Sequence, residues 1–316
     1  MLLLLAIAAL SNAAVSEARS FPSVSLFQLD RRRAQLVAAE AYGLNFEVFV
    51  PRAWSKADKG SWPVLVFLHG RGESGGFDVT NAQSLPLQLL NNASFAASFP
   101  FITLIPQCPR QCARSNVWLP STLNRVTRLV EEWAVPILRG DASRVYLTGQ
   151  SMGGHGAWKY AAETAAREHR VFAALVVVCG YANDKEEERA FSERLAKARM
   201  PVMVVHSADD SVIPVAASDS MVQQLRRRGY AEEASGRSDA PVLAYTRYEH
   251  APGPPMPEFA HLTGHGSYEL AFRDEAVYKW LLRRACAGCG RPKDTKEHAL
   301  PGFDTTPGIP DREEQT

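Results

Sequence analysis

The chain has 316 residues, 46% of them hydrophobic, enough for one large domain with a sizeable core. Its 35 basic and 34 acidic side chains are interspersed and leave a net charge of +1. That balance lacks the electrostatic footprint of a nucleic-acid or anionic-membrane binder, and no run of eighteen apolar residues offers a membrane span.

The N-terminus reads as a secretory signal peptide over residues 1–18. Leu2 to Leu10 is an apolar run, and Ser11, Asn12, Ala13 and Ala14 suit a cleavage site, although no basic residue precedes them. Export is the expectation; the other reading is an N-terminal helix of a cytoplasmic protein. Residues up to about Gln35 then look polar and irregular, with Arg31-Arg32-Arg33 as a solvated helix end.

Strand-like runs follow at Phe46–Val50, Val64–Leu68, Phe101–Ile105, Val145–Leu147, Ala174–Cys179, Val202–Val205 and Val242–Tyr248. Several are continuously apolar, as parallel strands covered on both faces are. Between them, Leu123 to Leu138 spaces Leu123, Val126, Val130, Trp133 and Ile137 as one face of a helix. Pro214 to Arg228 and Tyr268 to Arg284 read similarly. Alternating strands and helices predict an α/β fold with a mostly parallel, doubly wound sheet. One domain is expected over residues 22–290, and the charged, Pro-rich tail over 291–316 is expected to be disordered.

Five cysteines fit an exported protein. Cys108 and Cys112 lie close together, as do Cys286 and Cys289, so these four could pair and leave Cys179 as a buried thiol. Zinc is the weaker reading, because neither pair has the flanks of a zinc ribbon. Asn92-Ala93-Ser94 is a glycosylation sequon if the chain is exported.

The most specific stretch runs from Arg144 to Trp158. Apolar Val145-Tyr146-Leu147 leads into Gly149-Gln150-Ser151-Met152-Gly153, then into small residues that open a helix. Gly-x-Ser-x-Gly alone is a common coincidence; between a strand and a helix it is the layout of a nucleophile elbow. A serine hydroxyl needs an imidazole to take its proton, and the imidazole needs a carboxylate to fix its tautomer. In this layout the acid follows the serine and the histidine follows the acid. Asp209 and Asp210, just past the strand Val202–Val205, compete for the acid, and the other is expected to cap or turn the chain before Pro214. Among downstream histidines, His265 stands between Gly264 and Gly266 ahead of a helix and is favoured; His250 is the runner-up, and His261 and His298 are set aside. The oxyanion hole would use the backbone N–H of Met152 and that of Arg71, in the loop Leu68-His69-Gly70-Arg71-Gly72-Glu73. His69 is then structural.

These motifs together resemble the α/β-hydrolase superfamily, and within it the phospholipase/carboxylesterase and dienelactone-hydrolase-like esterases, including the group labelled predicted peptidases. The resemblance covers about residues 40–285. It rests on the Leu68–Glu73 loop, Pro106-Gln107-Cys108-Pro109, the Ser151 elbow, His206-x-x-x-Asp210-x-Val212-x-Pro214 and Gly264-His265-x-Ser267-Tyr268. It implies Asp210 rather than Asp209 as the acid, because the family's acid stands four residues before that proline, and it implies His265 as the base. Gln150 departs from the small or apolar residue expected beside the serine. Residues 251–259 look like an insertion, either a rigid flap over the acyl pocket or a surface loop, and Trp118 and Phe77 are candidates for pocket wall or core. The expectation is a serine esterase for small-molecule esters or thioesters, needing no cofactor and no metal. The alternatives are an acyl-protein thioesterase or peptidase with the same triad, and a non-catalytic binding protein on the same scaffold.

Overall fold

In the computed structural model, which describes residues 22–289 apart from 58–59, 77–83, 168, 236 and 238–239, the first element is set by Ser25. Its hydroxyl accepts the Gln28 N–H at 3.2 Å while the Gln28 side chain accepts the Ser25 N–H at 2.9 Å, a capping box that opens helix α1 (Leu26–Arg31). The stretch expected to be irregular therefore holds a helix, and strand β1 (Leu36–Ala41) follows it. Six residues carry too little periodicity to announce either.

The remaining strands are β2 (Leu44–Phe49), β3 (Trp62–Leu68), β4 (Ile102–Pro106), β5 (Gly140–Gln150), β6 (Ala174–Val178), β7 (Val202–Ser207), β8 (Ala231–Glu232) and β9 (Val242–Tyr248). They form one sheet in the order β1-β2-β4-β3-β5-β6-β7-β9-β8. β2 runs antiparallel to β1 and β4, and every other pair is parallel. Successive side chains of a strand face opposite sides. Val64, Val66, Val145, Leu147, Leu175, Val177, Val202 and Val204 accordingly enter one core, and Leu65, Phe67, Tyr146, Val176, Val178, Met203 and Val205 the other. That two-sided burial is why these strands read as unbroken apolar runs, each large side chain contributing roughly 1.5–3 kcal/mol.

The helices are α2 (Leu85–Asn91), α3 (Ala93–Ser98), α4 (Arg110–Ser115), α5 (Pro120–Arg128), α6 (Met152–Ala165), α7 (Lys185–Lys197), α8 (Ala216–Arg227), α9 (Ser267–Ala271) and α10 (Glu275–Leu282). Residues from α5, α6, α7 and α8 fill the first core, and those from α2, α3, α9 and α10 the second. The helix expected over Leu123–Leu138 begins at Pro120, widens to a π-helix over Leu129–Ala134 and ends there. The single helix expected over Tyr268–Arg284 is two, because Asp274 caps a new start through the Ala276 N–H at 2.8 Å.

Cys108–Cys112 and Cys286–Cys289 form disulfides, and Cys179 is a buried free thiol. Asn92 caps α3, accepting the Phe95 N–H at 3.0 Å. Among the described residues no helix is long and apolar enough to cross a membrane. The 1–18 segment, the 291–316 tail and Phe77 lie outside the described residues. Because β3, β4, β5, β6, β7 and β9 are parallel, all six end at one edge of the sheet, and the chain leaves that edge through Leu68-His69, Gln107-Cys108, Ser151, Cys179, Asp210 and the loop toward His265.

Candidate active site

Ser151 stands between β5 and α6 with φ 53° and ψ −120°, a left-handed backbone that a side-chain-bearing residue adopts only at a cost of order 1–3 kcal/mol. Its neighbours must be glycine for a contact reason. A Cβ on Gly149 would lie 2.2 Å from the Gly153 carbonyl oxygen, and one on Gly153 would lie 2.0 Å from that of Leu68. The turn closes tightly and leaves the Ser151 hydroxyl partly exposed above the sheet.

Three further strand ends converge on that hydroxyl. The His265 Nε2 lies 3.1 Å from Ser151 Oγ, and its Nδ1 lies 3.0 and 3.1 Å from the two carboxylate oxygens of Asp210. Nδ1 facing a carboxylate carries the proton, so Nε2 presents its lone pair to the serine hydroxyl. Asp210 is held on every side. Its Oδ1 accepts the backbone N–H groups of Val212 and Ile213 at 2.8 and 2.9 Å, and its Oδ2 meets His206 Nε2 at 3.1 Å. Burial alone would raise its pKa, but the hydrogen bonds from His206 and His265, the His265 charge and the Ile213 N–H outweigh it and hold the carboxyl well below the usual range.

Asp209 does different work. It takes the Ser207 hydroxyl at 2.5 Å, the Ala251 N–H at 3.2 Å and His250 Nδ1 at 3.2 Å, so it ties down the chain after β9 and does not cap α8, whose cap, Val215, has no side-chain bond. His250 is paired with that aspartate and 86% exposed, and His261 is exposed on the same connection. Residues 251–259 brace the His265 loop: Gly264 N donates to Ala251 O at 3.0 Å and Gly266 N to Pro252 O at 2.8 Å.

Opposite Ser151 lies the loop after β3. A Cβ placed on Gly70 would sit 3.7 Å from Ser151 Cβ, so the backbone that leads into Arg71 passes directly beside Ser151. The Arg71 side chain donates to Ala113 O at 2.9 Å. Met152 is the first residue of the fourteen-residue helix α6, where backbone N–H groups and the helix dipole favour negative charge. His69 fixes the loop: Nδ1 lies 2.7 Å from Gly70 O, and Nε2 accepts the Cys108 N–H at 3.0 Å. Burial lowers its pKa to about 4, partly offset by the Gly70 bond. Trp118 is core, donating to His69 O at 3.1 Å.

Gln150 belongs to a polar network beneath the elbow. Its amide nitrogen donates to Glu73 at 3.2 Å and its oxygen accepts from Ser84, whose N–H reaches Glu269 at 2.8 Å. The only sequence signal for this network was a polar residue at the end of an apolar strand. Among the described residues, Cys179, Asp210 and His265 are the one group close enough to share a cation. Burial pushes the Cys179 thiol far up, away from the thiolate a metal takes, and the other two side chains are already bonded to each other.

No protein-family model matches the sequence, and no curated protein matches it. The fold is similar to that of solved hydrolases. A thermostable esterase superposes with a TM-score of 0.59 at 22% identity, over 81% of this chain and 64% of that one. An acylaminoacyl peptidase in complex with a Z-Gly-Gly-Phe chloromethyl ketone gives 0.53 at 14%, over 82% of this chain and 43% of that one. The acylaminoacyl peptidase of Pyrococcus horikoshii gives 0.52 at 14%, over 85% and 43%. The chain thus spans less than two thirds of these proteins. At such identities the likeness shows the fold, which is that of the α/β hydrolases.

Proposed function

We propose that this chain, folded as an α/β hydrolase, is a serine hydrolase that cleaves carboxylic esters through an acyl-enzyme. The observation that carries the reading is the unbroken relay from the Asp210 carboxylate through His265 Nδ1 and Nε2 to Ser151 Oγ, every link between 3.0 and 3.1 Å. A relay of that kind is what a hydroxyl needs to become a nucleophile at neutral pH.

In the proposed reaction Ser151 Oγ attacks the ester carbonyl carbon as its proton passes to His265 Nε2. The carbonyl oxygen takes the negative charge and receives hydrogen bonds from the N–H groups of Met152 and Arg71. Collapse of the tetrahedral species breaks the bond to the alkoxy oxygen, which leaves with the proton from His265. Water then attacks the acyl-serine, giving its proton to His265, and the carboxylic acid departs as that proton returns to Ser151 Oγ. Asp210 stays ionised throughout and orients the imidazole. The substrate class is a small ester or thioester. The two disulfides suit an oxidising compartment and support export.

The test is a fluorophosphonate probe with nitrophenyl esters of rising acyl length, an acyl-thioester and an acylated peptide as substrates. Wild type takes the probe and cleaves short esters; Ser151→Ala takes no label and loses roughly 10³-fold or more in kcat while its melting temperature stays put. Labelling that survives in Ser151→Ala moves the nucleophile elsewhere. A folded wild type that neither labels nor cleaves anything is a binding protein on this scaffold.

A further inference from the structure

His206, on β7, is buried beside Asp210 and has no part in the reaction just described. Its Nε2 faces two acceptors, Asp210 Oδ2 at 3.1 Å and the Ile213 carbonyl at 3.0 Å, while its Nδ1 meets the Ser218 hydroxyl of α8 at 2.8 Å. Two acceptors on one side require the proton on Nε2, and Nδ1 then accepts from Ser218. Nothing on the imidazole is left over. Asp210 Oδ2 is therefore shared between two rings, His206 on one side and His265 on the other.

The geometry points to His206 as a positioning residue for the hydrolysis, setting how strongly Asp210 grips the base His265. The proposal rests on the Ser151–His265–Asp210 reading and extends it to His206–Asp210–His265–Ser151, with the Nε2 proton of His206 fixed by Asp210 and the Ile213 carbonyl. The physical reason is competition for charge on one oxygen. An N–H donated by His206 draws on the negative charge that would otherwise stabilise protonated His265. Without that donor, Asp210 holds the imidazolium more tightly, and the base is lost to protonation at a higher pH. Other groups around the carboxylate are arranged differently. Asp209 is engaged with Ser207, Ala251 and His250; Cys179 is a buried thiol at the end of β6; Tyr268 lies on α9 beside His265. Among the described residues, His206 and His265 are the side chains hydrogen-bonded to the carboxylate.

Two amides separate positioning from bulk. Gln at position 206 carries its nitrogen out to where Nε2 reaches Asp210, whereas Asn ends short of Asp210 and within reach of Ser218. Profiles of kcat and kcat/KM against pH on a nitrophenyl ester should show His206→Asn with plateau kcat and KM each within about threefold of wild type. Its acid limb should lie roughly half a unit to one unit higher than in wild type. His206→Gln should return the limb to its wild-type position. Ser218→Ala, which removes the hydrogen bond at His206 Nδ1 and keeps Nε2 on Asp210, should leave the limb in place. An unmoved limb in His206→Asn, or the same displacement in all three variants, overturns the proposal. Should His206→Asn fail to fold, nitrogen-15 NMR of histidine-labelled wild type decides, because the proposal requires the proton of His206 on Nε2 and that of His265 on Nδ1. The opposite tautomer at His206 sinks it. Failure of the underlying reading looks different: wild type would take no fluorophosphonate at all.

Discussion

Adjacent aspartates offer a test at the scale of single atoms. Asp210 touches His265, and Asp209 touches His250. Asp210→Asn replaces an acceptor-only group with one that can donate, which favours the wrong imidazole tautomer, so kcat should fall about 10⁴-fold. Asp209→Asn should lose less than about tenfold, since it loosens the contacts to Ser207, His250 and Ala251 and leaves Asp210 on His265. Steady-state kinetics on one ester settles the order, and equal losses would show that the wrong carboxylate has been placed in the relay. The choice between the two could not be read from neighbouring residues, because both carboxylates follow the same strand. It came from the spacing to Pro214 in the family that the motifs resemble, and the structure supplies its physical content in the Val212 and Ile213 N–H groups that donate to Asp210 Oδ1 and close an Asx turn.

Between elements, the aim of His265 depends on Gly264. That residue has φ +77°, and a Cβ there would lie 2.4 Å from the backbone of Asp209 and Asp210. Gly264→Ala should lift the histidine loop off the aspartate turn. A displacement of this kind costs on the order of 10²-fold in kcat, with a melting temperature lower by several degrees. Full activity in Gly264→Ala would show that the two turns need not touch. Much at this scale was legible beforehand. The parallel strands announced themselves because burial on both faces removes polar residues, and Gly149 and Gly153 marked the elbow because no side chain fits there. Less was legible where structure is made by contact rather than period. α1 and β1 span six residues each, the break between α9 and α10 comes from the Asp274 cap, and Gln150 looked misplaced until its partners Glu73 and Ser84 came from distant loops.

For the whole molecule, pH should act in two windows of opposite origin. His69 is buried with its pKa lowered from 6.5 to about 4, so folding favours its neutral form. That stability is complete above 6.5 and drains away as pH falls toward about 4, where the folded protein also takes up the proton. Asp210 is held far below the ordinary aspartate value of about 4, so its contribution is present above that value and is lost as pH falls below it. Urea midpoints measured from neutral pH downward should therefore fall in both windows. In Asp210→Asn the upper decline persists and the lower one is shallower, because Asp141 and Asp209 are also held below the usual carboxylate range. A wild-type curve that is flat between pH 6.5 and 4 would contradict the burial of His69.

The parallel strands that end at the Ser151 edge all begin at the opposite one, and that polarity makes the molecule easy to mount. α7 ends at exposed Lys197, and Pro201 at the start of β7 is bonded to Leu175 at the start of β6, at 3.0 Å. A cysteine installed as Lys197→Cys would be an accessible thiol, because Cys179 is buried with its thiolate suppressed and the other four cysteines are in disulfides. A maleimide resin should capture the chain by that side chain, with the Ser151 edge turned toward the flowing solution and every molecule in the same orientation.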